Sequence, residues 1–544
     1  MLDAVCYEKN ILIIDGIRQS REILKQFAQS INALRIDTSH HAPDIISKCE
    51  NIDYEVILLG YDLGENRKNG QQILEELRVK NLISRQCTII MITAEITQSM
   101  VLAALEHKPD DYLTKPYTLG EISSRLEKCL LKKQAMAPIY NAMDNQNYND
   151  VISLSTSMAE MNPQYRSECL GIISRQYYEL EQYDLAKEIY LDYKNQENCQ
   201  WAVIGLSKIA IINKDYLTAK NYLKALIEDY PHYLSSYDWL AKTYQLLEEP
   251  IKAEETLEKA ISISPRSVPR LKRYADQCLS NQNFEKATNA YKNTHDLAYH
   301  SIHRKPENTI NFAEALLEYS DQLSTYQIKQ LNNKAFDALK KMTRDFKQPE
   351  IKVMSLLLTS RLHNKVKDFS LSLTALNEAE RLLKKEDRDY SAKGTLSIAK
   401  HLISLNKKEM GKNLIHTLAE STPDDTELML EISKIIEQPI TDKNKIEAQS
   451  ALEIGTNLYR TGQYKLAIDK LSQALTLFPY HIGIKLNLYQ AIIVSMEHST
   501  IRDKDVIKAK LLTREFNQLS VNSESYFRYQ KLKKRYDDVI EENN

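Results

Sequence analysis

Apolar residues follow two different rhythms along this chain. In the first stretch, short unbroken apolar runs alternate with segments of helical spacing. Asn10 to Asp15 leads into Ser20 to Ala33, where Ile23, Leu24, Phe27 and Ile31 recur at helical spacing. The same couplet returns as Leu34 to Asp37 with Pro43 to Cys49, Tyr54 to Leu59 with Gln71 to Lys80, Thr88 to Ile92 with Gln98 to His107, and Asp111 to Leu113 with Leu119 to Leu131. The spacing predicts five strands alternating with five helices. Because the central runs are apolar at every position, it also predicts a parallel sheet covered on both faces.

Beyond residue 134 the rhythm is helical throughout and repeats itself. Ala253, Leu257, Ala260 and Pro265 set a pattern of small, large, small and stop. Its offsets recur in Ala219, Leu223, Leu226 and Pro231, and again in Ala467, Leu471, Ala474 and Pro479. Weaker copies start at Val151, Ala186, Ala287 and Gly411, and the anchors from Val151 to Ala287 average 34 residues apart. A ring sits three residues before most anchors: Tyr148, Tyr183, Tyr216, Phe284 and Tyr464. Such a unit suits two antiparallel helices, which need a small residue where backbones approach, a bulky one between units, and proline to stop the second helix.

In a parallel sheet the functional side chains collect at the carboxyl ends of the strands. Those ends read Asp15, Gly60, Thr93 and Lys115. Together, Ile11-Leu-Ile-Ile-Asp15, Thr93-Ala94, Tyr112-Leu-Thr-Lys115-Pro116 and the Gly70-Gln-Gln-Ile-Leu-Glu-Glu-Leu77 helix start resemble the receiver domain of bacterial response regulators over residues 8–133. The resemblance implies a flavodoxin-like fold, an acidic pair after the first strand that binds magnesium, and a phosphorylated aspartate at the end of the third. Here the pair is Asp15-Gly16, and Val56-Ile-Leu-Leu-Gly60 puts glycine at the acceptor position. An acyl phosphate needs a carboxylate oxygen as nucleophile, and magnesium wants several oxygen ligands. Phosphorylation at Gly60 is therefore chemically impossible.

The resemblance also implies that Thr93 and Tyr112 relay the signal to the surface and that Lys115 contacts the phosphoryl group. Without an acceptor, packing and a pairing of Lys115 with Asp15 explain these residues equally well. Asp62 is the alternative acceptor, although two residues of extended chain carry it about 6 to 7 Å beyond Gly60.

The helical remainder resembles the tetratricopeptide family, closely at residues 200–297 and 448–480 and loosely elsewhere. The expected architecture is an α/β receiver followed by an all-α superhelix. Its parts are a receiver at 8–133, a repeat array at 134–299, degenerate repeats at 300–447, and a C-terminal repeat with capping helices at 448–544. Bends are expected near Pro306 and Pro439, and Leu119 to Met136 reads as one helix ending at Pro138.

Composition narrows the function. Only 12 glycines occur in 544 residues, which suits a helical solenoid. A net charge of −2 gives no footprint for nucleic acid, and no apolar stretch reaches spanning length, so neither nucleic acid nor membrane is an expected partner and a cytoplasmic location is expected. Seven dispersed cysteines lack a C-x-x-C pair and read as reduced structural thiols. His295, His300 and His303, like His40-His41, are not spaced as metal ligands and read as solvated; no metal or cofactor is expected.

No catalytic motif of a nucleotide-binding, zinc-hydrolase or serine-hydrolase kind occurs, so the expectation is a non-enzymatic adaptor. The resemblance implies a sensor histidine kinase or another response regulator as partner, with a homodimer through the receiver as a further one. The repeat groove is expected to take a peptide or a helix. Two other readings stay open: a phosphate-gated switch at Asp62, and a scaffold whose receiver caps the solenoid.

Overall fold

In a computed structural model of the chain, the structure describes residues 9–64, 67–94, 109–384, 390–422, 442–477, 481–498, 503–516 and 524–542, with Asp425, Leu428, Glu431, Ile432 and Ile435 besides. The chain divides into two compact units, residues 1–339 and 340–544.

The first unit opens with the predicted sheet: β1 (Asn10–Ile14), β2 (Arg35–Ser39), β3 (Val56–Gly60), β4 (Thr88–Thr93) and β5 (Asp111–Thr114). All pairings are parallel, in the order β2-β1-β3-β4-β5. The described helices of this domain are α1 (Arg18–Ser30), α2 (Ala42–Asn51), α3 (Gly70–Val79) and α4 (Leu119–Asp144). The predicted helix Gln98 to His107 lies outside the described residues.

Alternation along each strand divides the core. Leu12, Ile14, Ile57 and Leu59 pack with Ile45, Ile73 and Leu77 of α2 and α3, while Ile11, Ile13, Val56 and Leu58 pack with Leu24 of α1 and Ile122 and Leu126 of α4. The central runs are apolar at every position because both faces are buried.

Contrary to the sequence expectation, α4 does not stop at Pro138 but runs through it to Asp144. Proline there removes one backbone hydrogen bond and costs about 3 kcal/mol. Burial offsets that cost, since Met136, Ile139 and Ala142 pack with Val151, Ala159 and Cys169 of the next elements. The same helix has Leu126 and Leu130 in the receiver core, so one rigid rod belongs to both modules. Arg85 reaches back to Asp144 at 2.7 Å.

Helix pairs follow: α5 (Tyr148–Met161), α6 (Arg166–Glu179), α7 (Tyr183–Tyr193), α8 (Gln200–Ile212), α9 (Tyr216–Asp229), α10 (Leu234–Leu246), α11 (Pro250–Ile263), α12 (Val268–Ser280) and α13 (Phe284–Ala298). The first helices of successive pairs begin at residues 166, 200, 234 and 268, a spacing of 34. Ala219, Ala253 and Ala287 are fully buried on the second helices, and Pro231 and Pro265 stand just past the ends of α9 and α11. Each three-residue turn inside a pair contains a left-handed residue: Glu181, Lys214, Glu248 and Gln282 have φ between 57° and 60°. That conformation crowds a Cβ, and glycine is its usual occupant. Lys214→Gly and Glu248→Gly are each expected to stabilise the array by about 0.5–1 kcal/mol, read as a higher urea midpoint of the full chain; a lower midpoint would contradict this account of the turns.

Pro306 opens a further helix, Pro306–Tyr319, at its first position; Pro439 lies outside the described residues. In the second unit, Pro349–Lys365 and Phe369–Leu383 form a helix pair within the stretch expected to hold degenerate repeats. Farther on, Asp442–Arg460 packs with Tyr464–Leu477, where Ala467 is fully buried and a Cβ on Gly455 would lie 2.9 Å from Leu471. Pro479 lies outside the described residues. The unit closes on a core in which the rings of Tyr489, Phe516 and Tyr529 meet edge-on or tilted, with centroids 5.0–6.3 Å apart.

Candidate functional site

The carboxyl ends of β1, β3, β4 and β5 bring Asp15, Gly60, Thr93 and Lys115 to one edge of the sheet. Asp15 is 2% exposed, and its Oδ2 lies 2.7 Å from Lys115 Nζ. Ser20 Oγ donates to the same oxygen at 2.8 Å, and Lys115 Nζ also reaches Ser20 Oγ at 3.1 Å. The backbone N–H of Ile17 donates to Oδ1 at 2.8 Å. Arg21 clamps the turn by donating to the carbonyls of Asp15 and Gly16. The lysine and the acid thus satisfy each other inside a closed cluster.

Gly60 is completely enclosed. A Cβ there would stand 2.9 Å from the Ile14 carbonyl oxygen, 3.1 Å from Asp15 Cα and 3.2 Å from Asp15 Oδ2. From the other side, Gly70 at the start of α3 lies so close that its own Cβ would be 2.4 Å from the Gly60 carbonyl oxygen. The Gly70 N–H donates to the Tyr61 carbonyl at 2.7 Å, which holds helix and strand end together. Backbone therefore fills the space an acceptor side chain would need.

The read-out residues separate. Thr93 is buried at the edge, where its carbonyl accepts the Lys115 N–H at 2.7 Å. Tyr112 lies one step inside β5, opposite Met91, and its half-buried ring packs against the core beneath α2 and α3. Asp62 is exposed and accepts the Gly64 N–H at 2.9 Å, closing its own turn.

Sequence reading missed Ser20 and Tyr117. Tyr117 hydrogen-bonds Ser20, and burial pushes its hydroxyl above the usual tyrosine range. The available signal was a polar residue on the sheet-facing side of α1, next to a buried acid. Because Asp15 is buried with one cation, removing that cation leaves an uncompensated charge. A double-mutant cycle of Asp15→Asn and Lys115→Met is expected to give a coupling of about 2 kcal/mol, since two other donors remain on the carboxylate. Additive effects would show that the pair is not coupled.

The residue after Gly60 faces the repeats. Tyr61 is 5% exposed, and its hydroxyl accepts from Arg266 at 3.0 Å, in the loop before α12. Gln72 of α3 donates to the Leu297 carbonyl at 3.5 Å, and Glu75 lies 2.6 Å from His303 Nε2. This corrects the expectation of solvated histidines. His295, His300 and His303 are half-buried: His295 Nδ1 meets Thr309 Oγ1 at 3.0 Å, and burial beside Arg304 and Lys68 holds His300 below the usual imidazole range. Helical spacing could not reveal this, because the partner of His303 lies 228 residues away. His40 and His41 are exposed. No helix among the described residues is long and apolar enough to cross a membrane.

Residues 11–127 match the response regulator receiver domain family, and residues 234–267 match a tetratricopeptide repeat. The chain is 28% identical over 135 residues to the transcriptional regulatory protein ResD of Bacillus subtilis, covering 25% of this chain and 53% of ResD. It is 34% identical over 108 residues to the transcriptional regulatory protein CiaR of Streptococcus pneumoniae, covering 20% and 44%. This chain thus spans about half the length of the curated relatives it matches. A solved two-component response regulator from Clostridium difficile is similar at 28% identity, with 23% of this chain and 96% of that one covered and a TM-score of 0.21. The chain carries a response regulator receiver domain, followed by tetratricopeptide repeats.

Proposed function

We propose that this chain is a non-catalytic cytoplasmic adaptor of two-component signalling, in which the receiver serves as a fixed protein-binding module beside a repeat array that also binds proteins. The observation that carries this reading is Gly60 itself: it offers no nucleophile, and backbone of Ile14 and Asp15 crowds the space a side chain would need. Lys115, the residue that would meet a phosphoryl group, is engaged by Asp15 instead. Repeat arrays present side chains that core packing does not use, which makes them suited to holding a partner. A sensor histidine kinase or another response regulator is the partner this reading names, bound so as to modulate its phosphotransfer.

Two measurements test it. The full chain incubated with magnesium and acetyl phosphate is expected to keep its intact mass, and Asp62→Asn to behave identically; a phosphoryl adduct lost on that substitution would establish a phosphate-gated switch instead. Capture of a histidine kinase or response regulator by the full chain, independent of acetyl phosphate, is the expected positive result.

A further inference from the structure

The second unit opens on a strongly basic stretch. Residues 340–367 hold eight lysines and arginines against two acids, a net charge of +6 in a chain whose total is −2. Arg361 and Lys365 are half-buried, and Lys367 lies past the far end of the helix Pro349–Lys365. The other five crowd one corner, where the helix Thr325–Asp345 ends and Pro349–Lys365 begins. There Lys340, Lys341, Arg344, Lys347 and Lys352 are all exposed.

Helical spacing puts Lys340, Lys341 and Arg344 on one face, away from the buried Ala338 and Met342. Two acids temper the group: Asp345 lies 3.2 Å from Arg344, and Glu378 lies 3.6 Å from Lys352. Among the described residues no ion pair engages Lys340, Lys341 or Lys347. Local stability does not explain the cluster. Like charges three and four residues apart on a helix repel, as Lys341 and Lys340 do with Arg344. A helix C-terminus favours cations, which suits Arg344, but Lys352 stands in the first turn of the next helix, at its positive end.

What the corner lacks selects its partner. No large apolar side chain is exposed between residues 340 and 352. A protein interface needs an apolar or aromatic centre and is depleted in lysine there. A membrane surface needs apolar side chains that enter it, and a single nucleic-acid strand needs rings on which its bases stack. A duplex needs none of these, because lysine and arginine alone satisfy its phosphates. The chain's net charge of −2 averages this corner with acids elsewhere and so conceals it.

We propose that this corner binds double-stranded DNA through its phosphates, without regard to sequence. The ammonium groups of Lys340, Lys341 and Lys347 meet phosphates directly and release their counterions, while Arg344 and Lys352 divide their charge between phosphate and their own acids. The proposal goes beyond the adaptor reading and does not depend on it.

The test is fluorescence anisotropy of a short labelled DNA duplex of arbitrary sequence, titrated with the full-length chain at several salt concentrations. Affinity is expected to fall about a hundredfold from ~50 to ~200 mM salt, a log–log slope of about −3 to −4 for three free and two shared cations. Lys340→Glu combined with Lys341→Glu is expected to weaken binding about tenfold or more at the lower salt and to flatten the slope by about 2, with an unchanged circular dichroism spectrum. Lys347→Glu alone, in the turn between the helices, should flatten it by about 1 and decides the matter if the double variant fails to fold. Lys187→Glu combined with Lys259→Glu makes the same charge change at exposed lysines of the first unit and is expected to leave the slope as it was. Absence of binding at ~50 mM salt, a slope indifferent to the lysine changes at the corner, equal weakening by the first-unit pair, or tighter binding of duplex RNA, polyglutamate or anionic vesicles would each overturn the proposal. Capture of a kinase or response regulator bears on the adaptor reading alone, so the two stand or fall separately.

Discussion

Replacing Gly60 by aspartate is expected to destabilise the receiver by about 4 kcal/mol and to give no phosphorylated protein. Two effects add. The new Cβ would sit 2.9 Å from the Ile14 carbonyl oxygen, which is backbone at the end of β1, paired on both sides, and cannot swing aside. The new carboxylate would then stand beside Asp15, 2% exposed and served by one lysine, so that one of two like charges lacks a counterion. Hydrogen exchange of the full chain checks it: amides of residues 10–15 and 56–61 should lose protection about a thousandfold. Unchanged protection, or a phosphoryl adduct on the variant, would show that the site is open and that only the carboxyl group was missing.

A single methyl group at Gly205 should be nearly as damaging. The Tyr190 ring lies flat against this glycine, so that a Cβ would be 2.3 Å from Cζ and 2.4–2.5 Å from both Cε atoms. The ring cannot retreat easily, because it is 5% exposed, its hydroxyl donates to the Ser174 carbonyl at 3.3 Å, and Trp201 packs edge-on at 6.0 Å. Gly205→Ala is expected to cost about 3 kcal/mol, the upper end of what overpacking does. Each repeat leans on its neighbours, so the loss should appear as faster exchange in α7 and α8 first. Gly205→Ala combined with Tyr190→Leu should recover much of the stability; no recovery would place the strain elsewhere.

Much of the fold was legible because it rests on local periodicity. The fully apolar runs at Ile11 and Val56 announced strands buried on both faces, and the spacing of Ala219, Ala253 and Ala287 announced the repeat. The candidate site was legible as far as it depends on residue type: glycine at position 60 offers no carboxylate, whatever the coordinates. The persistence of α4 beyond Pro138 was not legible, since a local rule favours a stop and only the burial of Ile139 and Ala142 against later helices outweighs it. His303 read as a surface residue for the same kind of reason, because Glu75 is brought to it by docking rather than by spacing.

By itself, then, the sequence determined which elements form and that position 60 carries no side-chain nucleophile, because hydrophobic period and residue type are properties of the residues themselves. Only the tertiary structure decided that the space at Gly60 is closed, that Lys115 is held by Asp15, and that Tyr61 and Glu75 turn the receiver toward Arg266 and His303. Those facts are distances between residues far apart in the chain, fixed by how whole elements pack and so absent from any local pattern.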